Sequence, residues 1–364
     1  MKKQFMGMAL LGLCVAPAFA ESSTTFFGAV DVGIRHIEYS GSGSATSVGT
    51  FGNSPSLFGV RGTEDLGGSM NAIFLLESAF TPDTGQSATG AFGVPFFNRS
   101  AWVGLNGNFG EVHLGRDWSP NYVNMYSFDP TYNLGVGNVS HYSNLLNQGL
   151  VPNYYWTTNA ITYSTPGGLG GMYGSFQVSA GEGGNGCNGN TVCGTTIGRS
   201  VSGRLGYAGG PFEIAGALAQ TDITSNTRAT SSSGKWTQAN AGVSYDFKVA
   251  KIMLWANTDK FVNLRESRAS IAAVIPVQND HAWISAVASR SDNAANSAGV
   301  YGAHGFAAGY VHNLSKRTAL YAAIARLSNH GQGRLNIEDI GSFSSNTVAG
   351  GRSTGGEIGI RHNF

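Results

Sequence analysis

Glu357-Ile358-Gly359-Ile360-Arg361-His362-Asn363-Phe364 closes the chain. In an extended backbone successive side chains point to opposite sides, so Ile358, Ile360, His362 and Phe364 share one face while Glu357, Gly359, Arg361 and Asn363 share the other. One apolar or aromatic side, one charged side and a terminal aromatic make the pattern of a lipid-facing barrel strand, whose outer face meets hydrocarbon and whose inner face meets water.

Working back from this segment, the same period of two recurs in stretches of about ten residues, the length of a tilted membrane strand. In the first, Phe26, Gly28, Val30, Val32 and Ile34 are assigned outward, and Thr25, Phe27, Ala29, Asp31, Gly33 and Arg35 inward. Further stretches give outward Ala72, Phe74 and Leu76 with inward Glu77, and outward Phe176 and Val178 with inward Gln177. Two more give outward Ala239, Ala241, Val243, Tyr245 and Phe247 with inward Gln238, Asn240 and Ser244, and outward Ile252, Leu254 and Ala256 with inward Lys251, Asn257 and Asp259. A soluble sandwich also alternates, but a chain this long would need several such domains, and no shift in composition marks a linker between them.

Tight connections at 64–68, 107–110, 166–170, 208–211, 248–250 and 313–317 alternate with long polar stretches at 38–56, 81–95, 117–154, 181–198, 222–234, 292–303 and 330–353. Short turns at one end and long loops at the other predict an all-β fold, a transmembrane barrel of about sixteen antiparallel strands. A barrel of that size leaves an aqueous channel. Selection then requires something to narrow it. The longest connection, 117–154, runs from Asp117 through Asp129 with Trp118, Tyr122, Tyr126 and Phe128 between them, and is predicted to fold inward as the third loop.

Charged residues are 12% of the chain, and 22 Lys and Arg against 21 Asp and Glu leave a formal net charge of +1. That balance argues against a nucleic-acid binder, which needs a basic face. Lys2 and Lys3, the apolar stretch from Phe5 to Val15 and the small-x-small site Ala18-Phe19-Ala20 read as a cleaved signal peptide over residues 1–20. No other apolar run reaches the roughly 18 to 20 residues of a membrane helix. Cys187 and Cys193 lie in one short loop of an exported chain, which favours a disulfide; zinc is the poorer reading because no nearby His completes the ligand set.

Other motifs carry little. Gly184, Gly186 and Gly189 fit a nucleotide-binding string but sit in a hairpin loop, and the eight His are scattered without metal-ligand spacing. No cofactor, metal or catalytic residue is expected, since neither a Gly-x-Ser-x-Gly elbow nor a paired His and Asp motif appears. His113, His312 and His362 are placed near the periplasmic strand ends. Tyr163, Tyr207, Tyr245, Phe247, Tyr310, Tyr321 and Phe364 lie beside the short turns and are assigned to an interfacial aromatic girdle.

The chain also resembles a known family over essentially all of residues 21–364. The matching stretches are 27–34, 58–68, 98–105, 109–117, 159–166, 309–321 and the final hexapeptide Gly-Ile-Arg-His-Asn-Phe. They are similar to the general trimeric porins of β-proteobacteria, a group that includes the anion-selective porins of Comamonas and Delftia. The resemblance implies a homotrimeric outer-membrane diffusion channel for small hydrophilic solutes and ions, in contact with membrane lipids. It implies an inward third loop facing a basic wall, onto which Arg61 and Arg99 map, and a role for Phe364 in barrel closure and assembly.

Two positions depart from the family pattern: Leu57 and Trp156 stand where arginines are common. Fewer fixed positive charges weaken anion preference. The expectation is a weakly selective, semi-apolar constriction among Arg61, Arg99, Leu57, Trp156, Asp117, Asp129, Arg35, Arg204 and Glu77. Against it stands ordinary anion preference maintained by Arg61, Arg99, Arg35 and Arg204. The alternative function is an adhesin or receptor barrel that uses its long external loops.

Overall fold

The computed structural model describes residues 22–88, 95–143, 153–181, 198–224, 233–297, 299–337 and 347–364. Residues 1–20, read above as a signal peptide, and the Cys187 and Cys193 pair lie outside them. Strands β1 (Ser23–Tyr39), β2 (Gly43–Gly49), β3 (Leu57–Gly67), β4 (Met70–Thr81), β5 (Gln86–Ser87) and β6 (Ser100–Gly107) open the chain. They are followed by β7 (Gly110–Trp118), β8 (Trp156–Ser164), β9 (Met172–Ser179), β10 (Ser200–Gly209), β11 (Phe212–Thr224) and β12 (Ser233–Asp246). The last six are β13 (Lys251–Phe261), β14 (Leu264–Val277), β15 (Asp280–Ser291), β16 (Ala303–Asn313), β17 (Thr318–Asn329) and β18 (Arg352–Asn363).

Every strand pairing is antiparallel, and β1 pairs with both β3 and β18, which closes the sheet. β2 and β5 are short ladders in external loops, so the barrel wall has sixteen strands. Closure is completed at the last residue. The Phe364 N–H donates to the Gly28 carbonyl at 2.9 Å and its carbonyl accepts from the Gly28 N–H at 3.1 Å.

The two faces of each strand differ as a period of two requires. On β1, Phe26, Val30 and Ile34 are exposed while Ala29, Asp31 and Arg35 are buried; on β12 and β13, Gln238, Asn240, Ser244, Asn257 and Asp259 are buried and Tyr245 and Leu254 exposed. A monomeric soluble protein rarely leaves so continuous an apolar band in water, whereas hydrocarbon accepts it.

The structure corrects the sequence reading in four places. β13 and β14 are joined on the long-loop side by only Val262 and Asn263, so the alternation of short and long connections breaks there. A tight turn between β14 and β15, at 278–279, is absent from the expected set. Tyr321 is not a girdle residue: it is 5% exposed and faces inward, its hydroxyl donating to Asp31 Oδ1 at 2.9 Å. His113 likewise faces the interior, stacked on Trp102 with ring centroids 4.4 Å apart.

Residues 119–143 form an inner layer against the wall. Ser119 caps helix α1 (Pro120–Ser127), accepting from the Tyr122 N–H at 3.1 Å and donating to the Tyr154 carbonyl at 2.6 Å, and Pro120 begins the helix with its φ already set. The inward Asn240 exchanges hydrogen bonds with Asn124 and Asn121 at 2.5 and 2.8 Å. Phe128, fully buried, lies on Gly242, where any Cβ would collide with the ring. Further on, the Val136 N–H donates to Glu357 on β18 at 3.0 Å, and Ser143 donates to Glu266 on β14 at 2.8 Å. The segment therefore touches inward residues on both halves of the barrel.

Candidate functional site

Where β6 and β7 emerge into their loops, Arg99 is buried against the wall and ion-paired with Glu77 on β4. Its guanidinium lies 4.9 Å from the Trp118 ring centre and 5.3 Å from that of Trp156. Trp118 stacks on Tyr122 at 5.0 Å and meets Tyr126 edge-on, and Tyr126 in turn lies 4.9 Å from Tyr132. Tyr155 packs edge-on against Tyr122 at 4.8 Å. The result is an aromatic cluster shared between wall and loop, with Arg99 set into it and Arg116 5.9 Å from the Trp156 ring centre.

The other expected residues are placed separately. Arg35 and Glu357 form a buried ion pair at 2.7 Å, and Glu357 also holds the Val136 N–H. Arg204 donates to Asn124 Oδ1 at 2.9 Å, Ser127 Oγ at 3.1 Å and Tyr173 Oη at 3.1 Å, so its charge anchors α1. Leu57 is buried with Phe51, Ala79 and Leu134, packing the loop onto β3. Asp117 accepts from Ser100 Oγ at 3.1 Å and lies 3.0 Å from the His113 ring, whose other nitrogen meets Glu111 at 3.0 Å.

Asp129 is turned into the loop itself, accepting from the backbone and hydroxyl of Thr131 and from the Asn133 N–H. Arg61 is exposed, its guanidinium 5.3 Å from the Phe27 ring centre, and among the described residues it has no ion pair.

Sequence reasoning missed a second anchor. Arg268 on β14 and Asp259 on β13 are paired at 3.0 Å and fully buried, and Trp236 and Gln238 also donate to Asp259. Arg268 reaches Tyr154 Oη at 3.3 Å, at the far end of the same loop. The inward parity of Asp259 was readable; its partner across the strand pair could have been found by carrying that parity into β14.

A family model described as Gram-negative porin matches residues 7–332. The chain belongs to the Gram-negative porins. Outer membrane porin protein 32 of Delftia acidovorans is 34% identical to it over the full length of both chains, and an outer membrane porin protein of Bordetella pertussis is 26% identical, again over both in full. Among solved structures, the anion-selective porin from Comamonas acidovorans superposes with a TM-score of 0.82 at 32% identity, covering 94% of this porin and 100% of that chain. This porin is thus a bacterial outer-membrane β-barrel of a channel-forming family.

Proposed function

We propose that this porin is a passive diffusion channel for small hydrophilic solutes and ions, narrowed by loop 117–154 and less anion-selective than its relatives. The observation that carries the reading is the disposition of the arginines. Arg99 is paired with Glu77, Arg35 with Glu357 and Arg268 with Asp259. A paired charge offers a passing ion a short-range dipole rather than a net field, so its contribution to selectivity falls steeply with distance. Arg61 keeps an exposed charge. Around Arg99, Trp118 and Trp156 present ring surface that suits neutral or amphiphilic solutes.

The porin is proposed to act as a homotrimer, exported with cleavage of residues 1–20, and Cys187 and Cys193 are proposed to be bonded. Reversal potential across a planar bilayer under a potassium chloride gradient tests the selectivity. A value well short of the ideal chloride limit is expected. A value close to that limit would overturn the charge argument.

A further inference from the structure

Tyr132 is held in a conformation that bulky residues rarely adopt. Its backbone and that of Asn133 are left-handed, with φ of 53° and 60°, a region costly to any residue with a large side chain. Asp129 pins this turn by accepting from the Thr131 and Asn133 N–H groups at 3.1 and 2.9 Å. The side chain gains no burial in return: the Tyr132 ring is 47% exposed on the inner layer of the barrel. Strained backbone of this kind collects at ligand-binding positions.

The exposed ring lies 4.9 Å from that of Tyr126, which is half-buried and packs edge-on with Trp118. Neither tyrosine hydroxyl has a hydrogen-bond partner among the described residues. Burial raises the pKa of Tyr126, opposed by the charge of Arg99, so the hydroxyl keeps its proton and can donate. The charge of Glu77 acts on the same hydroxyl, which places the ion pair beside the tyrosines. That pair is made by Arg99 Nε and Glu77 Oε1. The two terminal nitrogens of Arg99 and the second oxygen of Glu77 have no hydrogen-bond partner among the described residues, and none of the three is sealed from solvent.

We propose, resting on the channel reading above, that this part of the constriction is a weak binding site for neutral saccharides, whose rings stack on Tyr126 and Tyr132 while their hydroxyls bridge Arg99 and Glu77. A pyranose ring presents C–H bonds on its faces, which pack against aromatic faces, and hydroxyls at its rim, each of them both donor and acceptor. Two neighbouring hydroxyls can accept from the guanidinium and donate to the carboxylate together. An anion drawn to Arg99 meets the charge of Glu77, and a cation drawn to Glu77 meets that of Arg99. A flat aromatic solute covers the rings but leaves these polar atoms desolvated and unpaired, at a cost. Flux requires release, so the binding is weak.

The test is ion current through the detergent-purified protein in planar bilayers bathed in potassium chloride and titrated with maltose. Maltose is expected to block the current saturably, half-maximally at about 10 mM. Sorbitol, an acyclic polyol, should change it only in step with the conductivity of the bulk solution. Y132L keeps an apolar side chain but removes the ring, and should raise the half-blocking maltose concentration about five-fold. Y132F keeps the ring and should raise it only about two-fold. Wild-type channels that sorbitol blocks as well as maltose does would overturn the proposal, as would a Y132L channel blocked like the wild type. Blockage by benzyl alcohol but not by maltose would overturn it in favour of a flat aromatic solute. The wild-type comparisons decide the matter even where a variant fails to insert. Conducting channels that maltose leaves unblocked would sink the saccharide site alone, whereas absence of any ion current would sink the channel reading with it.

Discussion

At the scale of single residues, the proposed selectivity turns on who neutralises Arg99. Replacing Glu77 by Gln keeps the shape but removes the countercharge, so the guanidinium between Trp118 and Trp156 regains its field. E77Q should raise the chloride-to-potassium permeability ratio about two-fold, read from the reversal potential. Two buried loop groups set the pH response. Burial, opposed by hydrogen bonds from Thr131 and Asn133, raises Asp129 to about 6. Burial, then the charge of Arg35, lowers His141 to about 3. The folded loop binds the Asp129 proton more tightly than the unfolded chain does, so this group strengthens seating as pH falls from about 6 to 4. His141 is the reverse: the unfolded chain takes its proton first, and seating weakens as pH falls from about 6.5 toward 3. Over the shared window the two effects oppose. Wild-type channel noise should stay flat between about pH 4 and 6, whereas D129N should close more often on acidification below about pH 6 in single-channel records.

At the scale of elements, the inner layer depends on glycines that leave the wall concave. Gly242 on β12 admits Phe128, and Gly355 on β18 admits Val136 and Ile337. Gly242→Val forces Phe128 off the wall and should cost about 1–3 kcal/mol by overpacking, read as a lower temperature of heat-induced mobility change on gels. Ser119→Ala removes the α1 cap and a bond to Tyr154 together, for about 1 kcal/mol in the same assay. These pairings explain what the sequence could and could not convey. Strand faces were legible because lipid and water impose a strict alternation, as on β1, β12 and β13. Phe128 meeting Gly242 was not, since contact across more than a hundred residues leaves no local pattern. The tight Val262-Asn263 link escapes notice for a different reason: it lacks Gly and Pro, and two residues are too few to interrupt a polar and apolar rhythm. Tyr321 is misplaced when proximity to a turn outweighs its parity. Arg35, Arg99 and Arg204 are found by parity or resemblance, yet their partners Glu357, Glu77 and Asn124 become evident only in three dimensions.

At the scale of the whole molecule, closure rests on the two ends meeting. Phe364 stacks on Phe26 with centroids 5.9 Å apart while its backbone completes the β1 edge at Gly28. F364A leaves those backbone bonds available but removes the ring contact, and should lower the yield of folded, heat-modifiable protein in refolding assays without changing the conductance of barrels that form. The chain segment from Ser119 to Ser143 runs from the β10–β12 wall across to β14 and β18, tied at each end by hydrogen bonds. Mechanically this is a diagonal strut inside a thin-walled tube. Squeezing the tube out of round moves the strut's footings, so bilayer stress and the width of the passage become one variable. Cutting a footing with E357A, which removes the oxygen that accepts from the Val136 N–H, should make conductance depend more strongly on membrane tension in patch recordings.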